Sequence, residues 1–570
     1  MINLHNKSKI KTNFLVIIFI FLLLEISTIS SITAISEKNK IINFQNRLLA
    51  NDYTLFSPMD SNVTYLIDNN GNIKHSWISE YEPGLSVYML ENGNILRAIH
   101  LGDSGGGAVG SGGGIQEMKW DGTIIWDFRY YSSDYIQHHD IEPLPNGNVL
   151  LIAKEYKTYS DAIAAGRNPS LLQSDVLSPE YIVEIKPTGP TSGDIVWEWH
   201  LWDHLIQDFD ASKDNYGVVG IHPELVDINF VTTIQADWIH ANSVDYNAKL
   251  DQIIISSRNF GEFWIIDHST TTAEAAGHTG GNIGLGGDIL YRWGNPQIYR
   301  AGDEEDQKLF GQHDAQWIES GCPGEGNILV FNNGIGRPGL DYSSVEEIIP
   351  PIEENGSYYL KLGFAYGPDN SVWVFGINDK FFYSPHISGC QRLINGNTLI
   401  CSGANGYFFE VTNNKDIVWE YYNYFPNPYE NSVFKIRRYK LPFNNPNIPE
   451  INGVTSGSSN TSYEYTFTTN DIDGDNIYFY IDWGDGEVEE WIGPVNSGQS
   501  ISLSHIWKKD DIYTIKVKAK DVFELESDWA YLEVTMPVNK YLYNFVFDLI
   551  QKILDIYPRF FPFLRYFNFL

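Results

Sequence analysis

The chain has 570 residues, 43% of them hydrophobic and 14% aromatic, which excludes wholesale disorder and leaves room for roughly three or four domains, one of them a large β domain. Lys and Arg number 38 against 72 Asp and Glu, and the net charge of -34 argues against a nucleic-acid partner and against a polybasic membrane footprint. Three cysteines exclude a disulfide-dense scaffold and an all-cysteine zinc site.

Residues 1–36 read as a signal peptide or an N-terminal anchor. Lys7, Lys9 and Lys11 precede an unbroken apolar run, Phe14 to Leu24, and Ala34 and Ser36 supply small residues at a cleavage point. The run is short for a membrane span. Either reading places the body of the chain outside the cytoplasm, at the cell surface or beyond it.

Residues 50–441 repeat two short units. The first is a hairpin around Asn-Gly-Asn or Gly-Asn, at Asn92 to Asn94, Asn146 to Asn148, Gly326-Asn327 and Asn395 to Asn397, with a degenerate copy from Asp245 to Ile253. Asn-Gly supports the positive φ that tight turns need. The second is a strand carrying a tryptophan, at Trp77, Trp126, Trp197, Trp293, Trp373 and Trp419. Six interleaved copies predict an all-β six-bladed β-propeller with loop insertions, in preference to an array of β-sandwiches. The Gly-rich stretch from Gly102 to Gly114 lacks the Gly-Lys-Ser/Thr ending of a phosphate loop and reads as a flexible connection. A two-residue turn at Asn395-Gly396 would set Cys390 across from Cys401, either as a bridge or as two free thiols.

Histidines fall at the starts of the first-unit strands: His138-His139-Asp140, His240-Ala241-Asn242, His313-Asp314 and His386. Equivalent strand ends in a propeller face one end of the central channel, so four blades would deliver His139, His240, His313 and His386 to one funnel. His240 and Asn242 are two apart and would share a strand face. A hairpin centred on Lys249 puts Arg258 across from His240. A guanidinium in such a patch disfavours a metal and suits an oxyanion such as a sulfuryl or phosphoryl group. No metal and no cofactor are expected. His200, His204, His222, His268 and His278 lie out of register and read as surface or loop residues.

Residues 442–452, rich in Pro and Asn, form a linker. Residues 453–537 resemble the PKD module, an immunoglobulin-like β-sandwich, through Asp482-Trp483-Gly484-Asp485-Gly486 after an alternating strand. Asp471, Asp473 and Asp475 have calcium-loop spacing, but Asn476 stands where such a loop needs Gly, and a solvated acidic turn is the expectation. Residues 540–570 carry an amphipathic and then aromatic tail, which either docks on a membrane surface or envelope component or packs on its own domain.

The stretch from Asp52 to Tyr439, with its Trp-bearing repeats and Asn-Gly-Asn turns, resembles the arylsulfate sulfotransferase family. The resemblance implies an exported six-bladed propeller that moves a sulfuryl group from a phenolic sulfate ester to a phenol through a sulfohistidine, with ping-pong kinetics and without the soluble nucleotide sulfate donor. It implies His313 as nucleophile, His240, Asn242, Arg258 and His139 as the further catalytic set, and His386 or Ser384 at the substrate. The family's disulfide after the nucleophile has no counterpart, since Cys322 has no near partner in sequence. The residue types fit this chemistry by themselves: a neutral imidazole attacks sulfur, and Arg, Asn and protonated histidines meet the charge that develops. A non-catalytic surface propeller binding glycans or envelope partners is the alternative, and a metal-dependent hydrolase or quinoprotein-like oxidoreductase is the third.

Overall fold

The computed structural model describes residues 52–102, 112–230, 236–361, 363–441 and 443–536, together with Phe545, Asp548, Leu549 and Lys552. The expectations for the N-terminal segment, most of the Gly-rich stretch and nearly all of the tail lie outside the described residues. Among the described residues, no helix is long and apolar enough to cross a membrane. The chain divides into two units, Met1–Lys440 and Leu441–Leu570.

The first unit is all-β. Its body is six four-stranded antiparallel sheets, each a meander in chain order. Their innermost strands are Arg437–Tyr439, Pro83–Met89, Tyr135–Pro143, Ala241–Asn247, His313–Trp317 and Gly389–Arg392. The first sheet is composite: Tyr53–Phe56 pairs with Arg437–Tyr439, so the unit's last strand joins its first.

The two sequence repeats acquire distinct mechanical roles. Each of the six repeat tryptophans sits on the outermost strand of its sheet and donates its indole N–H to the loop between the last two strands of the following sheet. Trp77 reaches Lys119 O at 3.0 Å, Trp126 Ser192 O at 3.1 Å and Trp197 Thr270 Oγ1 at 3.1 Å. Trp293 reaches Pro368 O at 2.8 Å and Trp373 Asn413 O at 3.0 Å. Trp419, on the sixth sheet, returns to Asn69 O of the first at 2.8 Å. Trp77, Trp126, Trp197, Trp293 and Trp419 are buried, and their bonds satisfy donors that burial would otherwise strand.

The Asn-Gly-Asn hairpins use three-residue loops rather than two, with Gly93, Gly147 and Gly396 at φ 79°, 84° and 86°. A type I turn closed by a left-handed residue accounts for this geometry. The last Asn of each turn leads into a strand and donates to a Glu on the neighbouring one: Asn94 to Glu117, Asn148 to Glu184, Asn327 to Glu347 and Asn397 to Glu410, at 2.5–2.7 Å. The longer loop shifts the cysteine register by one: Cys390 lies opposite Ile400 and Gly389 opposite Cys401. Successive residues point to opposite faces, so the two thiols cannot bridge, and Cys322, Cys390 and Cys401 are all free.

The second unit holds a three-stranded sheet, Glu450–Asn452, Tyr463–Thr468 and Ile501–His505, and a four-stranded one ordered Val488–Val495, Ile477–Asp482, Ile512–Lys520, Ala530–Thr535. Alternating residues bury one core, with Tyr465, Phe467, Phe479, Ile481, Trp483, Trp507 and Val517. Glu450–Asn452, within the expected linker, belongs to this sandwich. Asp471, expected in a solvated turn, is instead buried, because the chain folds its own backbone N–H groups onto the carboxylate.

Candidate active site

Three of the predicted histidines meet. His139 and His240 pack edge to face with ring centroids 4.7 Å apart. Phe434, from the segment leading into the first sheet's inner strand, lies edge-on to His313 at 6.3 Å and tilted to His139 at 6.1 Å. The backbone beneath them is unusual. Leu85, His139, His240, Asp314, Ile387 and Ser388 all have positive φ, between 48° and 96°. They stand within or just before successive inner strands, and bulges interrupt pairing at Pro83/Val87, Gln137/Ile141, Ala241/Ser243 and His313/Gln316. Left-handed non-Gly residues cost of order 1–3 kcal/mol each and cluster where strain re-aims side chains.

His313 is buried, and its protonation pattern is fixed by its neighbour. Asn333 spends both amide hydrogens on the carbonyls of Ser384 (2.7 Å) and Ile387 (2.8 Å). Its Oδ1 therefore faces His313 Nδ1, 2.7 Å away, and can only accept. Gly311 O lies 3.1 Å from the same nitrogen. The proton thus resides on Nδ1, and Nε2 carries a lone pair. Burial first, then the positive charge of Arg258, lower the His313 pKa to about 3. The ring is a neutral imidazole at neutral pH.

His240 has a different partner. Its Nδ1 lies 2.5 Å from Asp237 Oδ2. Burial works to raise the Asp237 carboxyl, but the bond from His240 and the charges of His240 and Lys154 hold it below its usual range. Arg258 N donates to His240 O at 3.2 Å, which sets the arginine directly opposite His240, as the hairpin argument expects. The guanidinium is partly buried; burial first and then its charge lower both His313 and His386. His139 Nδ1 meets His138 Nδ1 at 2.7 Å, so one ring donates to the other. Burial, together with His240, drives the His139 pKa well below 6.5.

Other predicted residues sit differently. The alternation expected for His240 and Asn242 fails because His240 is left-handed and a bulge follows it. Asn242 is fully buried and donates to Gln312 O at 2.8 Å, bracing the segment that carries His313. Ser384 is also fully buried. Its hydroxyl is taken up by Ser388 Oγ at 2.8 Å and Ala404 N at 3.0 Å, so it shapes the loop rather than facing a ligand. His386 is exposed near Arg258. His204, expected at the surface, is buried between Asp288 Oδ1 and Ala275 O, both at 2.8 Å. His268, likewise, is largely buried between Glu184 and Asp251.

Beneath the histidines lies an ionised network that the sequence reading did not assign. Arg437 binds Asp314 through both nitrogens, at 2.9 and 2.7 Å. Lys435 contacts Asp140 Oδ2 at 2.7 Å, Asp314 Oδ1 at 3.5 Å and the Tyr88 hydroxyl. Burial alone would raise the Asp314 carboxyl, but Arg437 and Lys435 bring it down to about 2. Asp314 Oδ2 occupies the space where a Cβ at Gly389 would stand, 2.4 Å away. The signals were Asp following His at both 139–140 and 313–314, and three cations in four residues, Lys435, Arg437 and Arg438, at the start of a strand of an acidic protein. Asp237 and Asn333 carry no local sequence signature.

The site can therefore present a neutral, tautomer-fixed imidazole, a second imidazole backed by a carboxylate, and a guanidinium beside both. The chain is 27% identical over 320 residues to the arylsulfate sulfotransferase AssT of Escherichia coli O6:H1, a match covering 52% of this chain and 50% of that protein. It thus spans about half the length of this curated relative. The chain is also similar to the PKD domain of an M14-like peptidase from Thermoplasmatales archaeon SCGC AB-540-F20, at 52% identity, covering 17% of this chain and 99% of that one with a TM-score of 0.17. The arylsulfotransferase (ASST) family model matches residues 33–478, more than three-quarters of the chain, and the protein belongs to that family.

Proposed function

We propose that this protein is an exported aryl-sulfate sulfotransferase on a six-bladed propeller, and that His313 is its nucleophile. The observation that carries the reading is the fixed tautomer of His313: a buried, neutral ring whose Nδ1–H is held by Asn333 and whose Nε2 lone pair is free. The cyclic run of indole bonds from each sheet to the next, and from the sixth to the first, supports the propeller. The apolar N-terminal segment supports export.

In the first half-reaction Nε2 of His313 forms a bond to sulfur as the bond from sulfur to the aryl oxygen breaks. The electron pair leaves with the phenolate, which takes a proton from His240. Arg258 offsets negative charge on the sulfuryl oxygens and is worth most in a water-poor site. In the second half-reaction an acceptor phenol gives its proton to His240 and attacks sulfur, and the bond from nitrogen to sulfur breaks. Asp237 holds His240 in the tautomer that gives and takes this proton. His139 packs against His240 and helps keep the pair dry, and His386 flanks the substrate. No step needs a metal or cofactor.

Two-substrate initial-rate kinetics test the scheme. Parallel double-reciprocal lines for aryl sulfate against phenol are expected. Intersecting lines, which report a ternary complex, would contradict a sulfohistidine route.

A further inference from the structure

A second group of imidazoles gathers in loops outside the six inner strands, among residues that sulfuryl transfer does not use. His204 ends the short turn Leu201–Asp203, where its backbone N–H donates to Leu201 O at 3.0 Å. His278 and Asp288 bracket a glycine-rich loop that closes on itself: Gly286 N donates to Gly280 O and Gly287 N to Gly277 O, both at 3.0 Å. Gly280, Gly281, Gly284 and Gly286 have positive φ, between 59° and 116°, which so tight a loop requires. Gly287 then passes close to the His204 ring, and a Cβ there would stand 2.6 Å from its Nε2. Trp199 lies within 7° of parallel to that ring and donates its indole N–H to Gly287 O at 2.7 Å.

The three side chains converge. One ligand atom from each of His204, His278 and Asp288 lies within 4.8 Å of the other two. Asp288 Oδ1 is 2.8 Å from Nδ1 of His204 and 2.8 Å from Nδ1 of His278. His204 is 0% exposed and Asp288 4%, whereas the His278 side chain is 59% exposed. His204 Nε2 faces Ala275 O at 2.8 Å, and a carbonyl only accepts, so Nε2 carries a proton. In the neutral ring Nδ1 then turns a lone pair on a carboxylate oxygen, and that contact calls for a cation: a proton on Nδ1, or a metal between the two. The second imidazole favours the metal. His278 aims the same nitrogen at the same oxygen from the solvent side, which a proton on His204 does not call for. No Lys or Arg forms an ion pair with Asp288 among the described residues.

The donor set suits zinc. Zinc takes imidazole nitrogen and carboxylate oxygen at about 2.0–2.1 Å, which sets tetrahedral donor atoms about 3.3 Å apart. The 2.8 Å contacts and the 4.8 Å limit bracket that spacing. A ligating histidine also commonly gives its other N–H to a backbone carbonyl, as His204 does to Ala275.

We propose that His204, His278 and Asp288 form a zinc site, with water as fourth ligand on the exposed side, that clamps the 277–288 loop to the 201–204 turn. The site is structural, shares no residue with the histidine funnel and does not depend on the role of His313.

The test is calorimetric titration of ZnCl2 into the chelator-treated full chain, in a millimolar excess of calcium that fills any all-oxygen site. One zinc per chain is expected, accompanied by a rise in the unfolding temperature. His278→Ala, at an exposed position, should weaken binding at least tenfold while the metal-free chain stays as stable as before, and Asp288→Asn should weaken it as much. His240→Ala should leave the affinity unchanged. No zinc bound by the folded chain would overturn the proposal and make His204 a buried imidazolium paired with Asp288. Binding that survives His278→Ala, or that is lost in His240→Ala, would overturn it too, by placing the metal elsewhere.

Discussion

Asn333 is the residue on which the proposed nucleophile depends. It touches no reacting atom, yet its amide is locked by Ser384 O and Ile387 O so that it can only accept from His313. Asn333→Leu should leave His313 free to place its proton on Nε2, where it blocks attack on sulfur. Turnover should fall by about 10²–10⁴-fold, the range that loss of a tautomer-fixing partner reaches elsewhere, with a smaller effect on KM. A variant with turnover intact would mean that the ring orients itself. None of this was legible in the sequence, because Asn333 is 20 residues from His313 and lies just past the end of the neighbouring strand, Ile328–Asn332, with no motif of its own. His139, His240, Arg258 and His313 were legible, because repeat register alone brings equivalent strand ends together. Asn242 sits differently because the bulge and the positive φ at its strand start break the alternation on which its side-chain direction was read, whereas Ser384, expected only from the family resemblance, is drawn into the loop by Ser388 and Ala404.

At the scale of elements, the six tryptophans explain why a composition so rich in aromatics folds into separate sheets rather than one continuous one. Each indole packs at the seam between neighbouring sheets and donates a hydrogen bond across it. Trp419→Phe should keep most of the packing and lose the bond to Asn69 O, which joins the last sheet to the first. We expect about 0.5–1.5 kcal/mol of destabilisation in chemical unfolding, whereas no loss would mean that the bond does not contribute. The spacing of the tryptophans was readable from the sequence, and so was the hairpin repeat. The length of the hairpin loops was not, since Asn-Gly serves both two-residue and three-residue turns, and that single extra residue undid the expected Cys390–Cys401 pairing.

Over the whole molecule, three imidazoles at the site, those of His138, His139 and His313, are kept uncharged above a buried, ionised network. His138, His139 and His313 all have pKa values lowered from 6.5, with burial as the leading cause. The unfolded chain binds protons on these rings below about pH 6.5 while the folded chain refuses them. Their contribution to stability is therefore complete above that pH and declines as pH falls toward 3, by up to about 1.4 kcal/mol per pH unit for each ring. The unfolding midpoint should drop steeply on acidification from 6.5, and His313→Gln should flatten that slope. An equal slope in the variant would contradict the depressed pKa. A surface propeller that only binds partners gains nothing from bearing this acid sensitivity, which is why the catalytic reading is preferred over the adhesive one.

The central claim is that His313 Nε2 carries the sulfuryl group between donor and acceptor. Intact-mass analysis of the protein mixed with p-nitrophenyl sulfate tests it most directly, with His313→Ala alongside. The account predicts a sulfuryl-sized mass gain on the native chain alone, released on adding a phenol. A native chain that liberates nitrophenol with no mass gain, or a His313→Ala chain that still gains the sulfuryl mass, would contradict it.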